Sequence, residues 1–530
     1  MKEHVVEVCR ELDASFILFD GSARAVTAMV SSRRPTVLYV REERGRFACS
    51  NSLRLIANLE PRAALDPSVV WFLVSNTYVP SPNTIFKGVY KLPAGMRFDY
   101  SLAPSGESRL EAYVGSCFTA HLDRKLEAYR KSEACRPYGS KDEIAEALWS
   151  FLERKFAALL AGDVRAGILL SGGVESVLVL QAMLASRRGP EGLSAVTYDV
   201  FGGGQSHDSR AVREICCRHD LPLSLLSATV QELRVEAPNV VGHMPEPSGD
   251  VGYVPASKML DGVAGDVGVV VTGVGAEALL RSVRTLGKLG STMSSSAVRL
   301  HSRLLSGRWM ALAVRATARL EPIYGLSSFV SILLDPERFQ YSNRYGHPVP
   351  PAERGLLFDP SSSIPATRWL LNKSIDELTY VLPVFSHYVT VPDKAFRKIV
   401  DLASDREMSA FTPFWDESAF LSISPSLVEP LPTRVPDYRI LKDVAFRLVE
   451  RLGDADLVVT RKAALAVDRA ILPDLSMSLA GDEEVAELLL ECGVAGSARQ
   501  ASSIVGSLDI KQRYSAAVLA HWVREHRRKS

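Results

Sequence analysis

The stretch Gly167 to Ser176, GILLSGGVES, constrains the fold of this chain more than any other. Ile168 to Leu170 reads as a buried strand. It breaks at once into Ser171-Gly172-Gly173, and a helical pattern follows through Val177, Leu178, Leu180, Met183 and Leu184. A strand that ends in small residues and opens a helix is suited to holding a phosphate group. Glycines let backbone N–H groups approach an anion closely, serines add hydroxyl donors, and a helix N-terminus adds a favourable field. Ser171, Gly172, Gly173 and Ser176 form the candidate cradle, and Glu175 falls in the first helical turn, where the dipole also favours an acid. No Gly-Lys-Ser/Thr follows, which excludes the Walker type of phosphate loop. A tight strand-to-helix turn without a ligand is the plainer alternative.

Composition narrows the class. A chain of 530 residues predicts two or more domains. An apolar fraction of 47% with 23% charged residues is that of an ordinary globular protein, and a net charge of +1 points to neither nucleic acid nor membrane as a partner. The seven cysteines have no CxxC spacing, so neither a disulfide framework nor a zinc site is expected, and reduced thiols are the simple reading. The first sixteen residues mix acids with apolar residues and lack a secretory core, and no apolar run reaches membrane-span length. A cytoplasmic protein is expected.

The pattern divides along the chain. Residues 1–117 read as strands at Ser15–Phe19, Ala25–Met29, Thr36–Val40 and Arg46–Ala48, with helical segments near Asn51–Leu59 and Pro67–Asn76. The polar stretch 118–140 reads as a linker. Residues 141–280 alternate strands (Gly167–Leu170, Ser194–Val200, Leu223–Leu226, Val267–Thr272) with helices, which predicts an α/β fold with a parallel sheet covered on both faces. Ligands bind such sheets at the carboxyl ends of the strands. Residues 376–530 read as mainly helical, the last 55 as an extension, and the basic tail as a frayed, solvated helix end.

Four further stretches follow the glycine turn in a telling order: Ser206 to Ile215 ahead of His219-Asp220-Leu221-Pro222; Met244-Pro245-Glu246-Pro247-Ser248-Gly249-Asp250; Val269 to Leu280; and Thr412-Pro413-Phe414-Trp415-Asp416-Glu417. Together with SGGVES, this set resembles the synthetase domain of the asparagine synthetase family, whose patterns are SGGxDS, a P…DP segment, GEGADE and PFLD. Ser81 to Met96, SPNTIFKGVYKLPAGM, resembles the end of that family's glutaminase domain. The resemblance implies a sheet of the PP-loop type of adenine-nucleotide hydrolase, preceded by a reduced, β-rich glutaminase-like domain.

It also implies a chemistry. A carboxylate attacks the α-phosphorus of ATP, pyrophosphate leaves, and an amine attacks the acyl-adenylate. That scheme needs a pyrophosphate cradle, acids for Mg²⁺, a cation for developing charge and a base for the amine. Glu175 stands where the family has Asp, with a reach one methylene longer, and is a candidate Mg²⁺ ligand. In the acidic loop, Gly273 and Gly275 keep the family's glycines, and the resemblance makes both candidate nucleotide-binding residues. Val274 replaces the glutamate that the resemblance implies is the base, Glu277 replaces the aspartate as the second metal candidate, and Ala278 replaces the last acid. Arg461-Lys462-Ala463 resembles the family's basic loop and makes Lys462 the candidate cation. Lys442 aligns with a residue bordering the site but reads better as a surface charge. The family's glutaminase uses a cysteine exposed as the first residue, whereas position 2 is Lys2, and Cys9 and Cys49 are in the wrong places, so no glutaminase activity is expected.

Two readings follow. The first is a Mg-ATP-dependent amide-forming ligase acting on a small-molecule or peptide carboxylate, aspartate or another, with ammonia or a substrate amine; asparagine biosynthesis would be its setting if the substrate is aspartate. The second is a degenerate relative that serves as a binding or scaffold subunit. The stretch 281–320 carries eight Lys or Arg and no acid, and is read first as a solvated helical face. An adenylating enzyme acting on RNA is the third, weakest option, and nucleic acid is not the expected partner. A homodimer is left open as the assembly.

Overall fold

The computed structural model describes residues 15–31, 37–43, 46–59, 63–101, 110–135, 138–200, 207–280, 364–373, 377–427, 442–459 and 464–528. The basic stretch 281–320, the segment 321–363 and Lys462 lie outside the described residues.

The N-terminal region is built from short strands whose alternation leaves one face apolar. β1 (Phe16–Asp20), β2 (Ala25–Met29), β3 (Leu38–Glu43), β4 (Arg46–Ser50), β5 (Val89–Leu92) and β6 (Arg97–Ser101) form two antiparallel sheets, in the orders β1-β2-β6 and β4-β3-β5. Ala28, Phe98 and Tyr100 from the first sheet meet Leu38, Val40, Tyr90 and Leu92 from the second, so the core lies between the sheets. The helix Pro67–Asn76 starts where expected: Pro67 occupies its first turn, and Asp66 caps it by accepting from the Ser68 and Val69 amides at 2.9 and 3.3 Å.

The stretch read as a polar linker is instead mostly helix, Leu110–Cys135. Leu110, Val114, Phe118, Leu122, Leu126 and Tyr129 are all buried and recur every third or fourth residue. One apolar residue per turn suffices for a helix clasped on one side, and the charged residues between them hide the stripe. A capping box then opens the helix Lys141–Leu159: Ser140 Oγ accepts from the Glu143 amide, and Glu143 answers to the Ser140 amide.

The central sheet is parallel throughout. Its strands are β7 (Ala166–Leu169), β8 (Leu193–Val200), β9 (Leu223–Ala228), β10 (Val269–Val271) and β11 (Ser409–Phe411), in the order β11-β10-β7-β8-β9. The fold is thus α/β of PP-loop type, with a β-rich N-terminal region. β7 to β10 fall where the apolar runs predict them. β11 was not foreseen; three residues at a sheet edge are too few to make a pattern. It pairs with β10 from Val269↔Ser409 to Val271↔Phe411.

The two halves close on buried charge. Lys91, from β5, is 1% exposed; its ammonium donates to the Val79 carbonyl and to Glu246 Oε2, both at 2.7 Å, and lies 3.7 Å from Asp393 Oδ1. The Ser81 amide and hydroxyl both donate to Asp393, at 2.6 and 2.9 Å. The C-terminal helix Ile510–Arg528 spans the same junction. Trp522 donates to the Met244 carbonyl at 2.8 Å, and His526 stacks on Trp522 with ring centres 5.1 Å apart. That helix end is therefore packed as far as His526, which is 6% exposed, rather than frayed as expected. Among the described residues no helix is long and apolar enough to cross a membrane.

Candidate functional site

Three loops leave the carboxyl edge of the sheet side by side: residues 170–173 after β7, 272–275 after β10 and 412–416 after β11. These carry the glycine turn, the acidic loop and the TPFWD stretch, so the fold gathers motifs widely separated in sequence.

The turn after β7 is shaped by its own small side chains. Gly172 has φ +69°, a left-handed conformation that costs a side-chain-bearing residue free energy. Its carbonyl accepts from the Val459 amide at 2.8 Å, and a Cβ added at Gly172 would meet Val459 Cγ2 at 2.9 Å. Ser176 Oγ donates to the Gly173 carbonyl at 2.9 Å and accepts from the Ser171 amide at 3.3 Å, with the Ser171 hydroxyl 3.1 Å away. Ser176 therefore braces the bend, while Ser171 is exposed at its mouth. The helix Val174–Arg187 begins directly after Gly173, and the amides of its first turn have no carbonyl within the helix to bond. A left-handed glycine followed directly by a helix N-terminus is an arrangement of the kind that suits an anion.

In the acidic loop, Gly273 and Gly275 are explained by close protein contacts. A Cβ on Gly273 would lie 3.2 Å from the Ser176 amide nitrogen and 3.3 Å from the Glu175 carbonyl carbon. A Cβ on Gly275, whose φ is +95°, would lie 3.4 Å from the Phe414 carbonyl carbon. Thr412 Oγ1 donates to the Val274 carbonyl and accepts from the Phe414 amide at 3.3 Å, tying this loop to the third. Val274 packs with Ala94, Ala278, Val391, Phe396 and Trp415, an apolar cluster that handles no protons. Glu277 is exposed. Asp416 caps the helix Glu417–Ile423 through the Ala419 amide at 3.0 Å and pairs with Lys155 at 2.6 Å. Burial alone would raise its carboxyl, but hydrogen bonds from Lys155, Ser418 and the Ala419 amide prevail and hold it below the usual range.

The largest departure from the sequence reading concerns Lys442. It is 5% exposed, and its ammonium contacts Glu175 Oε1, with Glu175 itself 8% exposed. Lys442 is thus buried at the base of the turn, not a surface charge. Its alignment beside the site was legible in the sequence, but its burial was not, because its partner is far away in the chain and leaves no local signal. The same contact bears on the metal. Among the described residues, no three His, Cys, Asp or Glu side chains gather as a cation site. Mg²⁺ commonly takes only one or two carboxylates and completes its shell with phosphates and water. Of the two metal candidates, Glu175 stands in the first turn of the helix Val174–Arg187 with its carboxylate engaged by Lys442, and Glu277 stands exposed in the short helix Ala276–Leu279.

Residues 148–329 match the asparagine synthase family model. No curated protein matches the chain. The described part of the matched region, up to Leu280, contains the glycine turn and the acidic loop with the geometry given above. This chain therefore carries, at residues 148–329, a domain of the asparagine synthase family, a family of ATP-dependent amidating synthetases.

Proposed function

We propose that this protein is an AMP-forming amide synthetase whose nucleophile is ammonia or a substrate amine. A substrate carboxylate attacks the α-phosphorus of ATP, the bond to the β-phosphate oxygen breaks, and pyrophosphate leaves. The amine then displaces AMP from the acyl-adenylate and loses a proton as the amide forms. One observation carries the reading: the Ser171-Gly172-Gly173 bend sits at the carboxyl end of the sheet's central strand and opens the helix Val174–Arg187.

Each residue has a task in this scheme. Gly172, Gly173 and the first-turn amides cradle the departing pyrophosphate, with Ser171 adding a hydroxyl and Ser176 holding the bend. Lys442 lies beside Glu175 and offsets developing phosphate charge. Lys462, three residues beyond Val459, is assigned the same duty by its place in the sequence. Mg²⁺, when bound, would screen the triphosphate, with Glu175 and Glu277 as its acids. Val274 leaves no base on the acidic loop, so the amine arrives as the free base or is deprotonated by its own substrate. Hydrolysis of glutamine is not part of this function: Cys49 is half-buried in β4, and burial pushes its thiol up to about 11.

The test is ATP–pyrophosphate exchange with purified protein, Mg²⁺ and a panel of carboxylates, aspartate included, followed by amide formation with ammonia. Carboxylate-dependent exchange is expected. Absence of exchange and of ATP binding by calorimetry would overturn the proposal. The apolar surroundings of Val274 favour a second reading, a nucleotide-binding subunit without turnover. It predicts ATP binding without exchange for any carboxylate.

A further inference from the structure

We infer that Asp454 is a positioning residue for the phosphate turn, acting through Val459 to aim the Gly173 amide. Asp454 is fully buried and takes three side-chain donors: Gln181 Nε2 at 2.8 Å, Arg218 Nη1 at 3.0 Å and His219 Nε2 at 2.6 Å. Gln181 stands on the helix that starts at the turn, and Arg218 and His219 close the helix His207–Arg218. Arg218 also holds the Gly453 carbonyl at 2.7 Å and Asp456 through two bonds at 3.0 and 2.8 Å. The Leu457 amide donates back to the Asp454 carbonyl at 3.1 Å. Residues 453–457 are thereby pinned to two helices at once.

The consequence lies two residues further on. Val459, 1% exposed, donates its amide to the Gly172 carbonyl and sets its methyl over the space where a Gly172 side chain would be. In a trans peptide the C=O of one residue and the N–H of the next point in opposite directions. Fixing the Gly172 carbonyl toward Val459 turns the Gly173 N–H away from it, and Gly173 is the residue that caps the helix Val174–Arg187. A flip of this one peptide would present an oxygen to an incoming anion instead of a hydrogen. Asp454 touches no substrate in this scheme. It sets the orientation of a donor that does.

The anion in this inference rests on the nucleotide reading; the anchoring geometry does not. The test uses the full chain. Amide hydrogen exchange is followed over residues 171–176 without ligand, and affinity for inorganic pyrophosphate is measured by calorimetry. Asp454→Asn is expected to speed exchange in this segment and to weaken pyrophosphate about tenfold, the size set by one misdirected amide donor. Val459→Pro removes the same amide without disturbing the buried network, and Val458, at φ −72° and ψ 122°, already has the conformation that precedes proline. It should reproduce both effects. Val459→Ala keeps the amide and should change neither by more than about twofold. Unchanged exchange at 171–176 in folded D454N, or in V459P if D454N does not fold, overturns the inference. If exchange responds but the wild-type protein binds no pyrophosphate, the anchor stands and the nucleotide reading falls.

Discussion

The turn at Ser171–Ser176 and the loop at Gly273–Leu280 leave adjacent parallel strands at one sheet edge, yet they hold their chemistry in different places. In the turn it resides in the main chain: a left-handed glycine, a pinned carbonyl and the free amides of a helix start. The acidic loop, by family resemblance, would hold its chemistry in carboxylates. Here two of those three positions are Val274 and Ala278, packed in the cluster of Phe396 and Trp415, and the third keeps an acid as Glu277. Main-chain devices depend only on small residues and close packing, so they withstand sequence change that strips a site of acids and bases. The comparison teaches which part of such a site is retained when its acids are replaced.

The sharpest way to break it is at Lys442. Lys442→Met leaves the Glu175 carboxylate buried without its counter-ion. A loss of about 3–5 kcal/mol in unfolding free energy is expected by denaturant titration. Lys442→Met combined with Glu175→Met should recover most of that loss; a double variant no more stable than the single one would show that the two side chains do not act as a pair.

Mild acid should separate the two loops. Burial lowers His121 and His387 to about 3, and His387 stacks on Phe420 and accepts from Trp415 through its carbonyl, behind the acidic loop. Both histidines are neutral when folded and take up protons when unfolded below about pH 6.5. Stability is therefore full above that pH and falls as pH drops toward the folded values, by about 1.4 kcal/mol per pH unit for each histidine. His387→Phe should flatten the slope measured by thermal melts between pH 6.5 and 4.

Gly172→Ala tests the turn itself. The left-handed backbone and the Val459 contact should cost about 1–3 kcal/mol of stability, and ATP affinity should fall at least tenfold in calorimetry. The smallest effect is expected at Val274→Glu. It places an acid in a half-buried apolar cluster, costing about 1 kcal/mol, and should leave ATP affinity within about twofold because it faces Trp415 and not the turn. A large change in ATP affinity would mean that the two loops are not independent.

The same contrast decides what could be read from the sequence. The turn was legible because only small residues allow that backbone, and β7 and β10 because strands buried on both faces read as continuous apolar runs. The helix Leu110–Cys135 was mistaken for a linker because its buried residues come once per turn among charges. Gly273 and Gly275 have a reason to be glycine, the close approach of neighbouring backbone, that the sequence did not show. Asp454 had no sequence signature and Lys442 only its alignment beside the site, since what makes each matter is a partner brought close only by folding.

Lys91 has a practical consequence. Its ammonium comes from the β-sandwich, while the acids that close on it, Glu246 and Asp393, belong to the other half of the molecule. A fragment cut just before the central sheet, in search of a minimal ligase, would keep both acids and lose their cation, and it would also bare the surface on which Trp522 and Phe86 meet. Such a fragment should come out of cells as insoluble material, so work on this protein calls for the undivided chain.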